Sequence, residues 1–240
     1  MFLDQFYNQN GDSLSISPEQ ASRFAKEIAG DFNPIHDPDA RRFCVPGDLL
    51  FALILSKQGL SQQMQFNFAG MVGRDVELLF TQPSAQQLAL VDPEGKLYTE
   101  VSREGEHTDD EAVIEQLIKQ YVSFSGYNFP FLMVPLMRDK GVMFNPKRPL
   151  VMYERMSFKL DRLDLNAPTL ELASTQFDVD GKRAEIRFIF DVKEAGQVVG
   201  QGDKKLLVGG LMPFDDGILS PMVDEFNQRK EHYLAQLAES

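Results

Sequence analysis

The sequence predicts an α+β fold in which a helix, a buried helix and antiparallel strands follow one another, twice over. Three observations carry this. Apolar residues recur at helical spacing over 21–28 and again over 113–121. A strongly apolar stretch follows each, closing at Gly59 and at Gly141, which lie 141 − 59 = 82 positions apart. Beyond each glycine the apolar period falls to two, and Met156-Ser157-Phe158-Lys159-Leu160 echoes Met64-Gln65-Phe66-Asn67-Phe68 at an offset of 156 − 64 = 92. Unequal offsets mark a structural repeat with insertions rather than a close one. Each sheet is expected to wrap its own central helix.

The elements follow in order. Ser17-Pro18-Glu19-Gln20 opens the first helix, with a serine cap, a proline at the first helical position and a glutamine placed to close a capping box. Ala21, Phe24, Ala25 and Ile28 form its apolar face, and Gly30 can end it. A short polar loop, 31–39, leads to Pro46-Gly47-Asp48 and the apolar run Leu49 to Leu55. Asp48 is expected to cap that helix, and apolar residues on every side mean that it is buried. Strands are expected over 65–68, 76–80, 86–91 and 96–101, the last two joined by the turn Asp92-Pro93-Glu94-Gly95. Residues 103–110 are expected as a linker. Thr108-Asp109-Asp110-Glu111 starts the second amphipathic helix, and residues 128–141 form the second apolar one. Strands over 156–160, 169–175, 182–192 and 204–208 and a helical tail over 222–237 complete the chain. The expected units are 1–104, 108–212 and a C-terminal helix within 213–240.

Composition excludes several classes. The 240 residues suit one large domain or two modest ones. With 36 acidic against 24 basic side chains the net charge is −12, the wrong sign for a phosphate-backbone binder or for docking on anionic lipid. No nucleic acid and no membrane is expected as partner. The lone Cys44 makes no internal disulfide, and the first seven residues lack the basic and apolar regions of a signal peptide. A cytoplasmic protein is expected.

One constellation could do chemistry. Asp31 and His36 lie five apart in a loop stiffened by Pro34, which also pushes Asn33 into an extended conformation. Such a loop can hold a carboxylate and an imidazole at a defined separation, as water activation requires. Asn33 can cap neighbouring backbone groups. Free amides at Pro46-Gly47, where the buried helix starts, can accept developing negative charge.

Ala29-Gly30-Asp31-Phe32-Asn33-Pro34-Ile35-His36, followed by Asp37-Pro38-Asp39-Ala40, resembles the hydratase-2 motif of MaoC-like hotdog proteins, the (R)-specific enoyl-CoA hydratases. Its five defined positions are Gly30, Asp31, Asn33, Pro34 and His36, and the resemblance is sharp over about twenty residues. It implies a divergent branch with a double-hotdog fold, and an enoyl-CoA hydratase-like lyase acting on an acyl thioester. By the motif, Asp31 and His36 would activate water, the Gly47 amide would hold the thioester oxygen, and Asn33 would border the substrate. Neither cofactor nor metal is implied. Coenzyme A is favoured over an acidic acyl-carrier protein as the thiol, given the chain's own charge. One chain would act as a pseudo-dimer, alone or as a homodimer. The alternatives are a hotdog thioesterase using the same aspartate, and a non-catalytic acyl- or partner-binding module.

The chain departs from the family at Pro46-Gly47-Asp48, where His-Gly-Met or similar is usual, and in a shorter loop from His36 to Gly47. The mechanism of acyl-carrier dehydratases is excluded, because their helix-borne acid would fall near Ala52. The second half has Gly126-Tyr127-Asn128-Phe129-Pro130 and no following histidine, so one site per chain is expected. The acidic loop fits no familiar metal spacing. Cys44 reads as a buried small side chain, His107 and His232 as surface residues. Met133, Met137, Met143, Met152 and Met156 read as core filling, and Arg41, Arg42, Lys147 and Arg148 as residues to test against coenzyme A phosphates.

Overall fold

The computed structural model describes residues 2–238. Strands β1 (Asn8–Asn10) and β2 (Ser13–Ser15) precede helix α1 (Pro18–Arg23), which winds on as a π-helical turn over Phe24–Ala29. The capping box forms as expected: Ser17 Oγ accepts from the Gln20 amide while Gln20 Oε1 accepts from that of Ser17. Helix α2 (Gly47–Gln58) is buried from Leu49 to Leu55. It is followed by β3 (Leu60–Phe68), β4 (Glu77–Ser84), β5 (Gln87–Val91) and β6 (Leu97–Thr108). Residues 103–108, expected as a linker, are the end of β6, because their backbone pairs with β3 as far as Leu60.

Helix α3 (Glu111–Gly126) is capped by Asp110, whose carboxylate accepts from the Ala112 and Val113 amides. The second apolar segment breaks into α4 (Asn128–Phe131) and α5 (Met133–Lys140), with Phe129 extended at φ −112°, ψ 129°. Pro130 is the cause, since proline crowds the residue before it out of the helical region. Then come β7 (Val142–Met143), β8 (Leu150–Leu160), β9 (Thr169–Asp180), β10 (Arg183–Glu194), β11 (Gln197–Gly209), β12 (Met212–Pro213) and α6 (Asp216–Ala238).

Ten strands form one antiparallel sheet in the order β1-β2-β4-β5-β6-β3-β8-β11-β10-β9. Its two halves join where Gln63–Asn67 of β3 pairs with Arg155–Lys159 of β8. The first half packs on α2, whose Phe51, Leu53 and Leu55 are out of contact with solvent. The second packs Ile186, Phe188, Leu206 and Val208 against Met133 and Met137 of α5. This is a double hotdog. Met152, expected in the core, is 44% exposed, whereas Met133, Met137, Met143 and Met156 are buried.

The repeat has a physical point of contact. A Cβ on Gly126, at the end of α3, would lie 1.8 Å from the Ala29 carbonyl oxygen at the end of the π-helical turn. The two corresponding helix ends therefore touch backbone to backbone, and they do so beside the Asp31–His36 loop. Among the described residues, no helix is long and apolar enough to cross a membrane.

Candidate functional site

The loop after the first helix is set by its own short-range bonds. Gly30 takes the left-handed conformation at φ 67°, and the Asp31 amide reaches back to the Ala25 carbonyl at 2.8 Å. Asp31 Oδ1 accepts from the Asn33 amide at 2.9 Å, and Asn33 Oδ1 accepts from that of Ile35 at 3.2 Å. Pro34 then starts a single 3₁₀ turn that ends at His36. His36 Nδ1 lies 2.7 Å from the Cys44 carbonyl oxygen. A carbonyl can only accept, so Nδ1 carries the proton and Nε2 is left to face Asp31. Asp31 Oδ2 and His36 Nε2 are 3.7 Å apart. That is too long for a direct hydrogen bond and fits two groups that share a water.

Asp48 does not cap α2. Pro46 occupies the cap position and offers no side-chain bond, and Asp48 sits one residue inside the helix. Its carboxylate instead turns toward the second half, where Ser125 Oγ donates to Asp48 Oδ2 at 2.5 Å. Lys204 Nζ donates to Ser125 Oγ in turn. The same ammonium lies 4.4 Å from the centre of the Tyr153 ring, whose hydroxyl meets that of Tyr121. Burial pushes the Asp48 carboxyl up from its ordinary value, opposed by the Lys204 charge and the Ser125 hydroxyl. Burial pushes Lys204 down, opposed by the charges of Asp48 and Asp31. The Tyr153 ring also covers the Gly47 Cα, where a Cβ would come within 2.8 Å of it.

A third layer comes from the end of the chain. Helix α6 lays Phe226 and Tyr233 edge-on against Phe32, at centroid distances of 5.9 and 5.8 Å. Asp37, next to His36, pairs with Arg229 of α6 and, at 2.9 Å, with Lys26. Tyr233 also donates to Glu27 at 2.9 Å. The loop is thereby held from both sides.

Asp31, His36, Gly47 and Asn33 thus lie on one loop and the helix start beside it. Asn33 is exposed and its side chain is spent on the turn. Sequence reasoning missed Ser125 and Lys204, although each carried a signal. Ser125 continues the buried series Ile114, Leu117, Ile118, Tyr121 and Val122, and Lys204 is in phase with the core-facing Leu206 and Val208. A polar residue on an apolar face is a buried polar group in need of partners. Elsewhere His107 is bonded to Ser61 and Asp109 and His232 is exposed, while Arg41, Arg42, Lys147 and Arg148 are all exposed. No group of metal-ligating side chains gathers among the described residues. Surface depressions of about 740, 320 and 300 Å³ lie elsewhere, and none is lined by Asp31 or His36.

Residues 1–217 match the family model described as "Protein of unknown function (DUF3581)". No curated protein matches the chain. Among solved structures, it is similar to a hot-dog-fold protein of unknown function from Alicyclobacillus acidocaldarius. The TM-score there is 0.48 at 9% identity, covering 89% of this chain and 99% of that one. A MaoC-like dehydratase aligns with TM-score 0.44 at 8% identity over 85% and 98% of the two chains. An acyl-CoA thioesterase II from Mycobacterium marinum aligns with TM-score 0.40 at 10% identity over 87% and 97%. At such identities no side-chain role passes from those proteins to this one.

Proposed function

The chain belongs to that family of unknown function, DUF3581, and from its site we propose that it hydrates an enoyl thioester, or dehydrates the 3-hydroxyacyl thioester in reverse. The observation that carries the proposal is the 3.7 Å gap between Asp31 Oδ2 and His36 Nε2, with His36 fixed through its other nitrogen on the Cys44 carbonyl. A water held by both groups gives a proton to one of them as its oxygen bonds to carbon three of the enoyl group. The group that took it then returns that same proton to carbon two, so the double bond is consumed and the elements of water are added. As carbon two gains electron density the thioester oxygen becomes negative, and the Gly47 amide at the start of α2 is the donor for it. The hydratase-2 motif at Gly30, Asp31, Asn33, Pro34 and His36 supports the same assignment. Coenzyme A is the proposed carrier, because the chain's own net charge of −12 disfavours an acidic carrier protein.

The test is a panel of acyl-CoA substrates, crotonyl-CoA first, followed for both hydration and thiol release. Wild type should hydrate crotonyl-CoA, and Asp31→Asn or His36→Ala should each lower kcat by about 10²–10⁴-fold with the fold intact. An unchanged rate in either variant refutes the mechanism. Thiol release from saturated acyl-CoA would mean a thioesterase, and thermal stabilisation by ligand without turnover would mean a binding module.

A further inference from the structure

Lys204 is the oddest side chain in the core. It is 6% exposed, in the middle of β11, in register with apolar neighbours that face the helices. Taking an ammonium and a carboxylate out of water costs several kcal/mol each, so such a pair contributes little to stability over an apolar replacement. What distinguishes this pair is its position. Asp48 follows Gly47 directly, so an uncompensated carboxylate would sit beside the amide that is to meet negative charge. Its Oδ1 is buried without a hydrogen-bond partner, and its Oδ2 is held by Ser125, which is held by Lys204.

We propose that Lys204, with Ser125 as relay, is a positioning residue contributed by the second half: it draws the Asp48 carboxylate away from the Gly47 amide and cancels its charge. The site is then composite, with Asp31, His36 and Gly47 from the first half and the compensating charge from the second. This also explains how a carboxylate can stand beside the Gly47 amide. The inference rests on the function proposed above, and the experiment separates the two.

Crotonyl-CoA hydration is measured for wild type, Lys204→Met, Asp48→Asn/Lys204→Met and Ser125→Ala, each checked for folding by its thermal transition. Lys204→Met should lower kcat by about 10²-fold, the size of losing one oxyanion donor, with KM within about threefold. The double variant should recover to within about tenfold of wild type, since asparagine can still accept from Ser125 but carries no charge. Ser125→Ala keeps both charges and cuts the relay, so it should lower kcat by about tenfold, the worth of one hydrogen bond to a charged group. This variant decides the matter if Lys204→Met does not fold. An unchanged kcat in Lys204→Met or Ser125→Ala overturns the inference, as does a folded double variant no better than the single. A wild-type chain without hydratase activity overturns the function itself and the inference with it.

Discussion

A methyl group added at Gly126 tests the contact on which the geometry of the site depends. Helix propensity alone would make Gly126→Ala stabilising by about 1 kcal/mol, because glycine is the poorer helix former. The structure predicts the opposite sign. The new Cβ would stand 1.8 Å from the Ala29 carbonyl oxygen and 2.7 Å from its carbon. A carbon and an oxygen settle at about 3.3 Å, so the end of α3 must move by roughly 1.5 Å. The obstacle is backbone, which cannot rotate aside, so the cost lies near the top of the overpacking range, about 3 kcal/mol. The net loss is about 2 kcal/mol, and at about 2–4 °C per kcal/mol for a chain of this size the Tm should fall by about 4–8 °C. Ser125 precedes Gly126, so the same shift should pull its hydroxyl off Asp48 and lower any turnover. Gly30→Ala is the control: it is left-handed at φ +67° with no atom within 4 Å of the added methyl. Its cost is backbone strain, about 1–2 kcal/mol, with no displacement. Thermal unfolding of both variants checks the reasoning, and a Tm for Gly126→Ala equal to or above that of wild type refutes it.

Two other expectations concern titration. Burial raises the Asp203 carboxyl, but Ser157, Arg187 and Arg155 outweigh it and hold the group below its ordinary value of 3.8. A group depressed in the folded state contributes stability that is complete above its unfolded pKa and is lost as the pH falls through the folded one. Wild type should therefore lose this stability below about pH 3.8, and Asp203→Asn should show a flatter acid limb in urea unfolding; parallel limbs would contradict the assignment. Burial pushes the Cys44 thiol up to about 11, and its S–H donates to the Val45 carbonyl. Labelling by a disulfide reagent at pH 8 should be much slower than that of a free thiol, and labelling at the free-thiol rate would contradict the burial.

Local signals were legible where the chemistry is local. Ser17 and Gln20 close their box, Gly30 turns left-handed after the first helix, and the apolar run from Leu49 is buried on all sides. The Asp31–His36 juxtaposition was also legible, because both residues lie on one short, proline-stiffened loop. Long-range choices were not. Asp48 has the sequence context of a cap and serves instead as acceptor for Ser125, 77 positions away, which nothing in its neighbourhood signals. Residues 103–108 are polar and glycine-containing, as a linker would be, yet they are strand because β3 offers them a ladder. Ser125 and Lys204 interrupt apolar faces, and periodicity flags such interruptions without naming the partner. The clamp of α6 on Asp37 joins positions 192 apart, beyond the reach of any pattern.

The ladder between β3 and β8 has a consequence for how the two halves can change. Five residues of β3, Gln63–Asn67, have their outer hydrogen bonds satisfied only by the later copy. Severed from it, the earlier copy would bare a raw strand margin, the kind that seeks out any other chain. The second half has no histidine after Gly126-Tyr127-Asn128-Phe129-Pro130, yet the sheet still needs it. It is the wall against which the first half closes, through the pairing of β8 with β3.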